Sequence, residues 1–103
     1  MVEDKGRVML SGFKLEEAER AIVDNLIKNY QNKLNEKFRW KELKLRMKKS
    51  ARGKMFLHEV QGSLLTDKIF STKVTEFNLF AALAEAMDKL MHEAEHHQRT
   101  ARQ

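Results

Sequence analysis

The chain has 103 residues, 42% hydrophobic and 34% charged, which is enough apolar content for one packed core and too little length for two. It has no cysteine, which excludes a disulfide scaffold, a thiolate zinc site and a thiol nucleophile; no proline and only four glycines argue against a linker protein or a turn-rich sandwich. Twenty Lys and Arg against 15 Asp and Glu leave +5, which favours a polyanionic partner without saying where the charge sits.

The hydrophobic period changes along the chain and places the elements in order. Arg7-Val8-Met9-Leu10 is a short apolar run closed by Ser11-Gly12, so a first strand is expected near residues 6–12. Residues 14–37 then carry Leu15, Ala18, Ile22, Leu26, Tyr30 and Leu34 at helical spacing, with Val23 and Ile27 widening the stripe. Glu16, Glu17 and Glu19 open this helix and Lys33 and Lys37 close it, each at the end of the helix dipole that favours its charge.

From Trp40 the period drops to two. Leu43, Leu45 and Met47 alternate with Lys44, Arg46 and Lys48, the pattern of a half-buried strand with a cationic outer face. Ser50-Ala51-Arg52-Gly53 is expected to turn the chain into a third strand over residues 55–60, with Gln61-Gly62-Ser63 bulging it or beginning the next turn. Asp67-Lys68 leads into a fourth strand, in which Phe70, Thr72 and Val74 alternate with Ser71 and Lys73. Asn78 is placed to cap a last helix whose apolar stripe is Leu79, Phe80, Leu83, Ala86, Met87, Leu90 and Ala94, running to about residue 97 with the final residues frayed.

The resulting order, β-α-β-β-β-α, implies an α+β fold occupying residues 1–103 as a single domain. Three strands joined by short turns should form an antiparallel meander, and the helical crossover should lay the first strand parallel to a neighbour. Each helix has one apolar face to bury, so both are expected on one face of a four-stranded sheet, a two-layer sandwich with the other face open to solvent. No apolar run approaches the roughly 18 residues of a membrane span, and no signal-peptide core follows Met1-Val2-Glu3-Asp4-Lys5, so the expectation is a soluble cytoplasmic protein with no membrane partner.

The positive charge is local. Residues 37–54 carry nine Lys and Arg against Glu42, a net +8, while the other 85 residues sum to −3. On a strand Lys44, Arg46 and Lys48 share a face at about 6–7 Å spacing, comparable to phosphates along a nucleic-acid strand. Such a ridge can track a backbone without reading bases; it can equally be a solvated face that discourages edge-to-edge aggregation. Phe38 and Trp40 flank the run, and a buried role suits them better than stacking on bases.

His92-Glu93-Ala94-Glu95-His96 matches H-E-x-x-H, which puts two histidines on one helix face for zinc. A catalytic zinc also needs a third protein ligand and a cleft, and the chain beyond His96 offers only His97. A solvated helix tail is therefore expected, with His92 and His96 at most weak metal candidates. No nucleophile elbow, phosphate-binding glycine loop or dinucleotide fingerprint is present, so neither an enzyme, a cofactor nor a small-molecule substrate is expected. The six methionines are spread through the inferred core as packing residues.

At Asn78-Leu79-Phe80-Ala81-Ala82-Leu83, followed by Met87-Asp88-Lys89-Leu90, the sequence resembles the ribosome hibernation-promoting factor and ribosome-associated translation inhibitor family. That family shows an acidic or amide cap, an apolar-aromatic pair, two small residues and an aliphatic-Asp-Lys-Leu run, and the alternation of Phe70, Thr72 and Val74 falls at its spacing before the cap. The residue-level similarity covers about residues 70–99, and the element order covers nearly the whole chain. The resemblance implies occupation of the decoding region of the small ribosomal subunit, silencing idle ribosomes by occlusion, with ribosomal RNA held by basic side chains of the sheet and last helix. Lys89 matches the family's Lys and carries over as an RNA contact. Where members have Arg-Gln and then Lys, this chain has His92-Glu93 and His96, with Arg99 and Arg102 only near the end, and its Lys44/Arg46/Lys48 ridge is more basic than is usual there. Long members carry a C-terminal dimerisation domain, and the chain is expected to correspond to the short form.

The candidate RNA-binding set is thus Lys41, Lys44, Arg46, Lys48, Lys49, Arg52, Lys54, Lys89 and Arg99. Three readings compete: a translation-inhibiting protein on small-subunit ribosomal RNA, a protein-interaction module of the same fold without RNA binding, and a metallohydrolase. Titration with RNA separates the first two, and zinc analysis of tag-free protein tests the third.

Overall fold

The computed structural model describes residues 6–101. The element order is β1 (Arg7–Ser11), α1 (Glu17–Lys37), β2 (Glu42–Arg52), β3 (Met55–Leu65), β4 (Ile69–Glu76) and α2 (Leu79–Ala101), as the changes of hydrophobic period imply. The strands form one sheet in the order β1-β2-β3-β4. β1 runs parallel to β2, with Val8 opposite Leu43 and Leu10 opposite Leu45; the β2–β3 and β3–β4 pairs are antiparallel.

Alternation assigns one sheet face to the core. Leu43, Leu45 and Met47 of β2, Val60 and Leu64 of β3, and Phe70 and Val74 of β4 are buried there. Leu43 and Leu64 meet Tyr30 and Leu34 of α1 and Met87, Leu90 and Met91 of α2 around one small internal void, so both helices cover the same face. The result is the two-layer α+β sandwich that two amphipathic helices and a one-sided sheet require.

The boundaries moved where local pattern and tertiary packing disagree. α1 begins at Glu17, not near residue 14, because residues before it remain extended: Glu16 has φ −74 and ψ 164, and the Glu19 carboxylate accepts its N–H at 3.1 Å. Ahead of it Phe13, which the periodicity does not single out, is buried against the core. Within α1 the buried residues are Val23, Ile27, Tyr30 and Leu34, whereas Ile22 is 45% exposed. All four belong to the expected stripe; Ile22, at its edge, faces solvent, and Leu26 is partly buried against the core. α2 extends to Ala101, beyond the expected end near residue 97; Arg102 lies outside the described residues.

The third strand is the largest correction. It does not end at Val60, and Gln61-Gly62-Ser63 neither bulges nor turns: these residues pair in register with Arg46, Leu45 and Lys44 on one side and Lys73, Thr72 and Ser71 on the other. Gly62 is present for packing. A Cβ there would lie 3.0 Å from Leu90 Cδ1 and 3.2 Å from Leu45 Cδ2, so its missing side chain admits α2 close to the sheet. The β2–β3 turn also moves. Both strands continue to an Arg52–Met55 pair, and Gly53-Lys54 is the two-residue loop, with Gly53 at φ 64 as a type II′ hairpin turn requires at its first position.

Trp40 is a buried wedge, in agreement with the structural role expected for it. Its Nε1 donates to Asn35 Oδ1 at 2.8 Å, and its ring lies so close to Gly6 that a Cβ there would be 2.3 Å from Cε3. Asn78 caps α2, its Oδ1 accepting the Ala81 N–H at 2.9 Å. Asn78→Ala is expected to cost about 1 kcal/mol, since it leaves that first-turn donor to water. Chemical denaturation of the two proteins checks this; equal midpoints would mean the cap contributes nothing.

Candidate nucleic-acid interface

The face of the sheet away from the helices is set by the same alternation that buries the leucines. Between Leu43, Leu45 and Met47 stand Lys44, Arg46 and Lys48, all exposed, so the ridge expected from sequence lies on the open face. Cross-strand register then builds rows around it. Met9, Lys44, Ser63 and Ser71 form one row, Ser11, Arg46, Gln61 and Lys73 the next, and Lys48, Glu59 and Thr75 a third. Together the first two rows line a shallow depression of about 770 Å³. Its floor carries hydroxyl and amide groups, and cations stand on both sides. Lys73 is the residue that sequence reasoning missed as part of this face. Its local signal is weak, one lysine in a polar alternation, and only the register of β4 on β3 brings it into the Arg46 row.

Two carboxylates interrupt the cations. Glu42 lies 3.7 Å from Lys44 Nζ and 3.9 Å from the Arg7 guanidinium, both exposed pairs of small energetic value. Glu59 faces Lys48 across the strand pair and accepts a hydrogen bond from Gln61 Nε2 at 3.1 Å. Among the described residues Arg46, Lys48 and Lys73 form no ion pair and keep their charge available.

The charge divides by layer. The strands carry Arg7, Lys44, Arg46, Lys48, Lys49, Arg52 and Lys73 against Glu42, Glu59 and Glu76, a net +4. The two helices carry six Lys and Arg against eight Asp and Glu, a net −2, with histidines neutral. A polyanion is thus attracted to the sheet side and not to the helical side.

The other candidate residues fall in three places. Lys41 is exposed in the loop before β2, where its carbonyl accepts the Arg7 N–H and its own N–H donates to Leu65. Lys49, Arg52 and Lys54 lie at the far end of the β2–β3 hairpin, with Lys49 on the opposite face of the ribbon from Lys48. Lys89 and Arg99 lie on α2, the layer behind the sheet; Lys89 pairs with Glu85 one turn earlier at 3.7 Å. The ridge and Lys89 therefore do not share a face. α2 itself carries only Lys89 and Arg99 against Glu85, Asp88, Glu93 and Glu95. Asp88 accepts a hydrogen bond from Tyr30, whose hydroxyl pKa is pushed up by burial and then by that carboxylate.

His92, His96, His97 and Arg99 line a groove along α2 with Lys68 and Phe70. His97 lies 3.5 Å from Asp67 and tilts against the Phe70 ring. The Thr66 hydroxyl, then the backbone N–H of Asp67 itself and then His97 hold the Asp67 carboxyl below its ordinary range. Among the described residues no three His, Asp or Glu side chains are grouped to hold a metal ion. Among them, too, no helix is long and apolar enough to cross a membrane.

No family model matches the chain, and no curated protein matches it. Among solved structures it is similar to the crystal structure of the Protein Y N-terminal domain from Thermus thermophilus, with a TM-score of 0.51 over 86% of this chain and 93% of that one at 14% sequence identity. At that identity the likeness is one of fold: this chain is built on the same architecture as the Protein Y N-terminal domain.

Proposed function

We propose that this protein is a small ribosome-associated RNA-binding protein that acts by occlusion, seating its open sheet face on ribosomal RNA of the small subunit at the decoding region. The observation that carries the reading is the row of Lys44, Arg46 and Lys48 on an uncovered sheet face, joined there by Lys73. The fold shared with the Protein Y domain supports it, and the sequence of residues 70–99 resembles that of hibernation factors. Hydroxyl and amide groups between the cations suit phosphate and ribose oxygens, and the face carries no constellation for bond-making chemistry.

Sedimentation of ribosomes with the protein at low and high salt tests the proposal. Co-migration with the small subunit is expected at low salt. It is expected to be lost as salt rises, because about four cation–phosphate contacts give a binding slope near −3 on a log–log salt plot. A protein that remains at the top of the gradient at low salt ends the ribosomal reading. Binding to RNA with no preference for the small subunit would retain the interface and discard the site on the ribosome.

A further inference from the structure

The β2–β3 hairpin outgrows the rest of the sheet. β1 pairs with β2 only as far as Arg46, and β4 pairs with β3 only from His58. Residues 50–57 consequently pair only with each other, a free two-stranded ribbon at the end of a molecule 49 Å long and 17 Å thick. The tight Gly53-Lys54 turn keeps the ribbon regular to its tip.

That ribbon carries a composition its own folding does not require. Between Glu42 and Glu59 there is no carboxylate, while Lys44, Arg46, Lys48, Lys49, Arg52 and Lys54 are all exposed. At the tip Met55 is 57% and Phe56 51% exposed, beyond the reach of the core. Lys49 Nζ sits 4.6 Å from the Phe56 ring centroid, so a cation covers one side of an aromatic ring that is otherwise half open to water. A ring with cations beside it suits a ligand that has both negative charge and a flat π-surface.

We infer that the hairpin tip is a platform for an unpaired RNA base: Phe56 stacks on a base splayed out of its helix while Lys49, Arg52 and Lys54 hold the flanking phosphates. This rests on the RNA-binding reading above and adds to it a preference for single-stranded or looped RNA over duplex. Alternation puts Lys48 and Arg52 on one face of the ribbon and Lys49 and Phe56 on the other. A strand of RNA can follow cations around the ribbon, whereas a planar membrane meets one face at a time. The major groove of an A-form duplex is too deep and narrow for side chains to read its bases, which leaves an unstacked base as the partner for the ring.

The test uses the full chain and a single-stranded RNA of roughly 12 nucleotides, with the same sequence as a duplex for comparison. Phe56→Ala is expected to weaken single-strand binding about tenfold, measured by anisotropy, and to leave duplex binding unchanged. Phe56→Trp is expected to retain binding, with tryptophan emission quenched along the same titration curve; Trp40 is buried and supplies a constant background. Thermal melting of both variants checks that the exposed position leaves the fold intact. RNA binding of normal strength with no response at position 56, or equal weakening for duplex and single strand, overturns the platform and leaves the open-face reading standing. Quenching of the Phe56→Trp protein by phosphatidylglycerol vesicles but not by RNA assigns the tip to a lipid surface and also overturns it. Absence of any RNA binding overturns both.

Discussion

Replacing Lys44, Arg46 and Lys48 together by Glu is expected to weaken RNA binding about a thousandfold at physiological salt. Counterion release sets the size of the effect: each phosphate contact to a single strand contributes a slope of about 0.7, roughly a fourfold gain per contact at about 0.15 M salt. Neutralising three contacts with Gln should therefore cost about 50-fold, and reversing them adds repulsion of similar size to the lost attraction. The three side chains are exposed on the uncovered face, so the melting temperature should change by only a few degrees. Arg20→Glu, Lys28→Glu and Lys33→Glu together make the same change in charge on exposed positions of α1, behind the sheet. Those positions are on the helical layer, separated from the ridge by the sheet and screened by salt, so affinity should fall less than about threefold. Equal losses from the two sets would mean that net charge, and not the sheet face, attracts the RNA.

A second large effect is expected in stability. Gly62→Val should destabilise the protein by about 2–3 kcal/mol and lower the melting temperature by roughly 10–20 °C. Gly62→Ala separates the causes. Its single methyl meets the flexible ends of Leu90 and Leu45 at 3.0 and 3.2 Å, a cost opposed by the gain of about 0.5–1 kcal/mol from removing glycine in a strand interior. A change within about 1 kcal/mol is expected for Ala. The two further methyls of Val reach into the space α2 occupies, and β-propensity, which favours Val in strands, cannot compensate. If calorimetry finds Val at least as stable as the parent, the close approach of α2 at Gly62 is wrong.

Gly62 also marks where local reading failed. Gln61-Gly62-Ser63 has the composition of a turn, and nothing within the segment says that it is a strand interior paired on both sides, with β2 and with β4. The glycine answers to Leu90, which lies 28 residues away in sequence, so its reason is tertiary. Ser50-Ala51-Arg52 reads as a turn but is strand, paired with Leu57, Phe56 and Met55, for a related cause. Beyond the helices both faces of the ribbon are solvated, the apolar alternation fades, and a strand there cannot be told from a polar loop by its pattern. In α1 the eight apolar residues span more than half the helix circumference, and only docking on the sheet decides that Val23 and Ile27 are buried and Ile22 is not.

For the candidate site, alternation over residues 43–48 was sufficient to put Lys44, Arg46 and Lys48 on one side, because successive strand residues must point to opposite faces. The apolar partners Leu43, Leu45 and Met47 marked that side as the outer one, but alternation could not bring Lys73 alongside Arg46 or separate Lys89 from the ridge. Those follow from strand order and from which face the helices cover.

The net charge of +5 is resolved in the same way. The element order, the apolar inner faces of β2 and β4 and the concentration of cations around residue 46 are legible in the chain, since each depends on residues close together along it. Tertiary structure decided that the sheet layer is positive and the helical layer negative. It also decided that the β2–β3 ribbon projects past its neighbours and that Gly62 is a packing position. The physical reason is that layers, overhangs and close approaches are relations between segments distant in sequence, and no local period encodes them.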